Sequence, residues 1–135
     1  NVFVASFIGA PQMNFFSGKV LEGKAVQVEA HNFKLSEKMI KAVDEKQKAN
    51  APVTVGIRPE DIRLGSADEG ITAKVEVTEL LGSDLNIYFK IGEKNYIMKT
   101  DAASNIKIGD TIYPVFDSEK LHLFDQETEQ SLLYS

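Results

Sequence analysis

The feature that most limits what this chain can become is a period of two, repeated in short runs. In "ITAKVEVTELLG", Ile71, Ala73, Val75 and Val77 alternate with Thr72, Lys74, Glu76 and Thr78. Successive strand side chains point to opposite faces, so this run predicts a half-buried strand with those four residues facing in. "LNIYFKI" repeats the pattern through Leu85, Ile87, Phe89 and Ile91, and Gly92-Glu93 reads as a two-residue turn into "KNYIMK". "TIYPVF" and "KLHLFD" supply two closing strands, and Pro114 predicts an edge or a bulge in the first of them.

The first part of the chain reads the same way with two interruptions. "MNFFSGKVLEGKAVQVEAH" predicts a hairpin about Glu22-Gly23, its second strand alternating Val26, Val28 and Ala30 against Gln27, Glu29 and His31. "SEKMIKAVDEKQK" changes to a helical period, with Leu35, Met39, Ile40 and Val43 on one stripe and Ser36 placed to cap. The opening "NVFVASFIGAP" puts Val4, Phe7 and Ile8 on one helical face, with Gly9 as a cap and Pro11 beyond it. Many short strands joined by glycine turns, with one internal helix, favour a small barrel or sandwich, because parallel strands would need a crossover helix between each pair.

Chemistry is sparse. With no cysteine, disulfides, thiol nucleophiles and cysteine-ligated zinc are excluded. A net charge of -5 argues against a protein whose affinity rests on neutralising phosphates. No apolar run approaches the length of a membrane span, and the start lacks the basic, apolar pattern of a signal peptide. The chain begins at Asn1, which reads as a piece of something longer.

Four strings invite functional readings and resist them. "GKVLEGKA", residues 18–25, matches most of a phosphate-binding loop, but Ala25 stands where a hydroxyl is needed and β-alternation runs through both flanks. His31 and His122, the two histidines, show no obvious nucleophile beside them in the sequence and are weak evidence for acid-base or metal chemistry, which needs convergent groups. Asp125, Glu127 and Glu129 lack the glycine and terminal glutamate of a calcium loop. Tyr88, Phe89 and Tyr96 could stack bases on a barrel face, yet no basic groove accompanies them.

"VGIRPEDIRLG", residues 55–65, breaks off a buried strand at Arg58 and resumes at Ile62. Pro59 fixes its own backbone and pushes Arg58 towards an extended conformation, and Glu60 and Asp61 can accept hydrogen bonds where the chain turns. Arg58, Pro59, Glu60 and Asp61 therefore describe a structural corner.

At this motif the chain resembles the C-terminal regulatory region of ATP-binding subunits from maltose-type sugar ABC importers. The resemblance is carried by "FVASFIGAPQMNF" (3–15), "VGIRPEDI" (55–62), "VTELLGSDLNIYFKI" (77–91) and "LHLFDQET" (121–128). It implies a mainly β fold of two intertwined five-stranded barrels, OB-like and of the TOBE/MOP-like type, with one inserted helix. It also implies a connector helix over residues 1–10, leading from a missing ATPase domain, and a regulatory TOBE/OB-like domain over 11–135. Arg58 and Glu60 would fix the corner linking the barrels.

In function, the resemblance implies a regulatory and dimerisation domain with no catalytic, cofactor-binding or metal-binding residue of its own. ATP and magnesium would bind in the missing domain. Expected partners are a second copy through this domain, the nucleotide-binding domain, the permease subunits and a regulatory protein, with no nucleic acid. The expected location is cytoplasmic, peripheral on the inner face of the membrane through the transporter. The alternative reading is a small-anion or metabolite-binding barrel, with Gly82, Ser83 and Asp84 as an interface or ligand loop offering amides and a hydroxyl; a weaker one is an oligonucleotide-binding barrel. Two departures from the family stand out. Glu129 replaces a usual Gly, which predicts a wider or disordered last turn, and the charged helix at 36–48 is longer than a simple hairpin link.

Overall fold

Phe16 stands opposite Val55, Gly18 opposite Val53 and Asn14 opposite Ile57, so the apolar alternations of two distant segments are brought into one register. The computed structural model describes residues 13–132, and the helix expected over 1–10 lies outside them. The described residues divide into two compact units, 13–57 with 118–132, and 58–117.

The first unit is an antiparallel sheet of β1 (Asn14–Leu21), β2 (Ala25–Val28), β3 (His31–Lys34), β4 (Pro52–Ile57) and β11 (His122–Asp125). Its order is β11-β4-β1-β2-β3. Phe16, Val20, Val26, Val28, Phe33, Val53, Val55, Ile57 and Leu123 are buried, so each strand contributes one apolar face. Asn14 is buried among them, and its Nδ2 donates to the Ile57 carbonyl at 3.1 Å, which satisfies a polar group that burial would otherwise penalise. Between β3 and β4 runs α1 (Glu37–Glu45), capped by the Ser36 hydroxyl, which accepts from Met39 N at 3.2 Å. It buries Met39, Ala42 and Val43, while Ile40 is only half-buried.

The second unit is continuous. It starts with a 3-10 turn, Pro59–Asp61, and contains β5 (Ile62–Leu64), β6 (Ala73–Leu81), β7 (Asp84–Ile91), β8 (Lys94–Asp101), β9 (Thr111–Ile112) and β10 (Pro114–Phe116). One sheet is ordered β8-β7-β6-β9 and a second pairs β10 with β5. Leu85, Ile87, Phe89 and Ile91 are all buried, as are Val75, Tyr96 and Met98. "TIYPVF" is a single segment broken at Tyr113: β9 joins β6 and β10 joins β5. Pro114, with no N–H to give, begins β10, and its carbonyl accepts from Ile71 N at 3.2 Å. Counting this segment as one bent strand leaves five in each unit. The fold is mainly β and OB-like.

Three expectations need correction. The segment after Glu22-Gly23 turns a second time at Glu29, whose φ is 55°, so His31 opens β3 instead of closing β2. The pairing of β6 with β7 slips between Val75 and Val77, a β-bulge that reverses the strand's sidedness: Val75 is 1% exposed and Val77 49%. Finally, the last turn is neither wide nor disordered. Glu129 adopts φ 62°, its N–H donates to the Asp125 carbonyl at 2.8 Å, and Asp125 N donates to Gln130 O at 2.9 Å.

Candidate functional site

The polar corner sits where the chain enters the second unit. Arg58 is extended (φ -77°, ψ 152°) and Pro59 opens the 3-10 turn, as the restrictions imposed by proline dictate. Main-chain bonds tie the turn in place: Asp61 N donates to Arg58 O at 3.0 Å, and Asp117 N donates to Asp61 O at 3.0 Å. With Phe116 opposite Ile62, the first and last residues of this unit are held side by side. Pro59 is buried, whereas the Arg58 and Glu60 side chains are exposed.

Gly82 and Ser83 form the two-residue turn between β6 and β7, with Leu81 opposite Asp84. Gly82 has φ 63°, a conformation glycine adopts without steric cost. Gly82, Ser83 and Asp84 are all exposed, and the Ser83 carbonyl accepts from Ala102 N at 2.9 Å.

The larger feature beside this turn is one edge of β6. At its start β6 pairs with β9 through Ala73 and Lys74. Val75 N then donates to Asp110 O, and Gly109 N donates to Val75 O, both at 2.9 Å. From Val77 to Leu81 no described strand pairs with that side. Val77, Leu80 and Leu81 are 49%, 65% and 52% exposed, and Ile108, in the loop bonded to Val75, is 66% exposed. They are the large apolar side chains that stand out in water among the described residues, and they cluster along one strand edge and its flanking loop.

The same strand presents a fixed carboxylate. Glu79 Oε1 accepts from Asn86 Nδ2 and from the Tyr88 hydroxyl, each at 3.3 Å. Register puts Val77, Glu79 and Leu81 opposite Tyr88, Asn86 and Asp84, so these six share one face of the sheet. Desolvation raises the Tyr88 pKa, and the Glu79 charge and hydrogen bond push it further up; the phenol stays protonated and serves as a donor. Asn86 is 8% exposed, and its Oδ1 has no partner among the described residues.

The remaining sequence candidates lie within the strands and turns of the fold. The "GKVLEGKA" string lies across β1, a turn at Glu22-Gly23 and the start of β2. The His31 ring packs on Phe33 with centroids 4.8 Å apart, and His122 stacks on Phe124 at 6.3 Å. Phe89 and Tyr96 are buried against each other, 5.8 Å between centroids. Asp125 is ion-paired to Lys48 at 2.7 Å, and no cluster that could hold a metal ion occurs among the described residues. The exposed edge of β6 was missed by alternation alone. The signal was the adjacent pair Leu80-Leu81, since two consecutive strand residues cannot both face one core.

Comparison with known proteins now places the chain. A family model for the MalK OB fold domain matches residues 9–62 and one for the TOBE domain matches residues 55–124. The Bacillus subtilis oligosaccharides import ATP-binding protein MsmX is 40% identical over 135 residues, which are 96% of this chain and 37% of that protein. The Streptococcus mutans multiple sugar-binding transport ATP-binding protein MsmK is 35% identical, covering 98% of this chain and 37% of its own length. The Thermococcus litoralis trehalose/maltose import ATP-binding protein MalK is 30% identical with the same coverage. The chain thus spans a little over a third of the length of these relatives. Among solved structures, the cytoplasmic molybdate-binding protein ModG shares the fold at a TM-score of 0.65 with 15% identity, over 82% of this chain and 94% of that one. The chain belongs to the TOBE domain family, and its first half carries the MalK-type OB fold.

Proposed function

We propose that this chain is the C-terminal regulatory and dimerisation region of the ATP-binding subunit of an ABC transporter that imports sugars. The observation that carries the reading is the alignment of nearly the whole chain with a little over a third of three subunits named for oligosaccharide, multiple-sugar and trehalose/maltose import. On this reading ATP and magnesium bind elsewhere in the parent polypeptide, and hydrolysis takes place there. This region contributes a β scaffold. Its partners are a second copy of itself, the nucleotide-binding domain and, in the assembled transporter, the permease subunits, at the inner face of the membrane.

Antiparallel strand pairing within each unit supports this reading, as does the bond within the second unit from Asp117 N to the Asp61 carbonyl at 3.0 Å, which ties the end of that unit to its start. The test is to delete residues 13–132 from the full-length parent and follow sugar uptake together with the subunit's sedimentation. The expected result is loss of uptake regulation and weaker self-association, with nucleotide hydrolysis retained. A parent that lacks ATPase motifs, or nucleotide turnover by this chain alone, would overturn the proposal.

A further inference from the structure

We infer that the open edge of β6 takes up an extended, cationic segment of a different protein by strand addition. Among the described residues, the edge offers unpaired main-chain groups from Val77 to Leu81, which is what an added strand needs for affinity. Along it stand the apolar side chains Val77, Leu80 and Leu81, with Ile108 beside them. Soluble proteins usually blunt such an edge with lysines or proline, and none occurs from Val77 to Leu81.

Charge selects the partner. On the sheet face that carries Val77 and Leu81, the central residue is Glu79. Its Oε1 is held by Asn86 and Tyr88, and its Oε2 has no partner among the described residues. Glu76 precedes it on the strand, and Asp84 and Asp101 stand opposite one another on β7 and β8, with Lys99 the cation opposite Asn86. The second unit as a whole carries eleven carboxylates against seven lysines and arginines.

A second copy of the chain fits this edge poorly. Antiparallel self-pairing about a two-fold axis must place residues of the same sheet face opposite one another. Centred on Glu79, it sets Glu79 against its own copy; centred on Thr78, it sets Glu79 against Val77 and Glu76 against Leu80. Like charges directly opposite one another are destabilising, and a carboxylate facing an apolar side chain gains nothing. A strand with an apolar residue opposite Val77, a cation opposite Glu79 and an apolar residue opposite Leu81 satisfies every position on that face. This surface is separate from the self-association proposed above, and its test reads a different quantity.

The probe is the peptide TVTKTVT, whose alternation presents Val, Lys and Val to one face. It is titrated into the isotope-labelled full chain while backbone amide resonances are followed. The expected result is a set of shifts confined to Val77–Leu81 and the Ile108 loop. TVTETVT and a TVTKTVT methylated on alternate amides should bind at least about tenfold more weakly. Glu79→Gln should reduce the preference for the lysine peptide over the glutamate peptide, and Val77→Lys with Leu81→Lys should abolish binding of both; all three positions are exposed, so the fold is retained. Equal binding of the lysine and glutamate peptides, shifts elsewhere, or no shift would overturn the inference. So would amides at Val77–Leu81 that become protected with rising protein concentration and no peptide, which would give the edge to a second copy.

Discussion

Lys48 Nζ lies 2.7 Å from Asp125 Oδ2, joining the segment that follows α1 to the end of β11. Both oxygens of this carboxylate are in use, because Oδ1 accepts from Glu127 N at 2.8 Å and Thr128 N at 3.0 Å. Gln126 adds a bond to the Val53 carbonyl at 2.9 Å. The final strand of the first unit is therefore secured at its end by one residue that is at once an ion-pair partner and the cap of the next turn. An acidic run that could pass for a calcium loop has its first member committed to structure.

The consequence is a pH dependence with a defined sign. The Lys48 hydrogen bond, with help from the amides of Thr128 and Glu127, holds the Asp125 pKa at about 2, against 3.8 ordinarily. A carboxyl whose pKa is lower in the folded state stabilises the fold above its unfolded value and loses that contribution as the pH falls through its folded value. Urea unfolding midpoints measured from pH 7 downwards should drop between about pH 4 and about pH 2. Asp125→Asn should start lower at pH 7 and show a flatter decline in that window. An Asp125→Asn curve parallel to the parent's would show that the pair contributes nothing.

The bulge in β6 separates two residues that alternation treats alike. Val75→Ala empties a fully buried position and should cost about 2 kcal/mol, from the methyl groups lost and the cavity left. Val77→Ala, on the exposed side, should change stability by no more than about 0.5 kcal/mol. Chemical denaturation of the two variants checks this directly: comparable losses would mean that Val77 is packed and the strand has no slip.

Glu129 occupies a left-handed conformation, φ 62°, that costs an L-residue roughly 1–2 kcal/mol and glycine almost nothing. Part of the gain from glycine is returned as extra freedom of the unfolded chain. Glu129→Gly should therefore raise stability by about 0.5 kcal/mol, seen as a higher denaturation midpoint at unchanged slope. A fall in the midpoint would mean that the glutamate side chain does something in the turn that outweighs its backbone cost.

Much of the fold was legible because its signals are local. The alternation of Leu85, Ile87, Phe89 and Ile91 needs no knowledge of the partner strand, Ser36 announces a helix start, and Pro59 holds Arg58 extended and opens a turn. The misses share one cause, which is pairing with a distant segment. Whether Val77 faces in or out depends on the register with Tyr88, and a slip of one residue reverses every later side chain. Whether Glu129 tightens or loosens the last turn depends on Asp125 accepting its N–H. The candidate surface was hidden for the same reason: Leu80-Leu81 is visible as an oddity in sequence, but the unpaired edge beside it exists only once β9 is seen to stop at Lys74.

Two glycines should respond differently to the same substitution. A Cβ on Gly70 would lie 2.4 Å from the Tyr113 carbonyl oxygen and 2.5 Å from that of Pro114, and these are main-chain atoms held where the segment bends from β9 into β10. They cannot swing aside as a side chain can. Gly70→Ala should cost about 3 kcal/mol or more, in the range that marks overpacking against fixed structure. A Cβ on Gly82 would meet nothing within 4 Å, so Gly82→Ala carries only the penalty of its positive φ, about 1 kcal/mol. Thermal unfolding of both variants tests the ranking, and a Gly82 variant less stable than the Gly70 variant would show that the approach of Tyr113 and Pro114 is looser than these distances require.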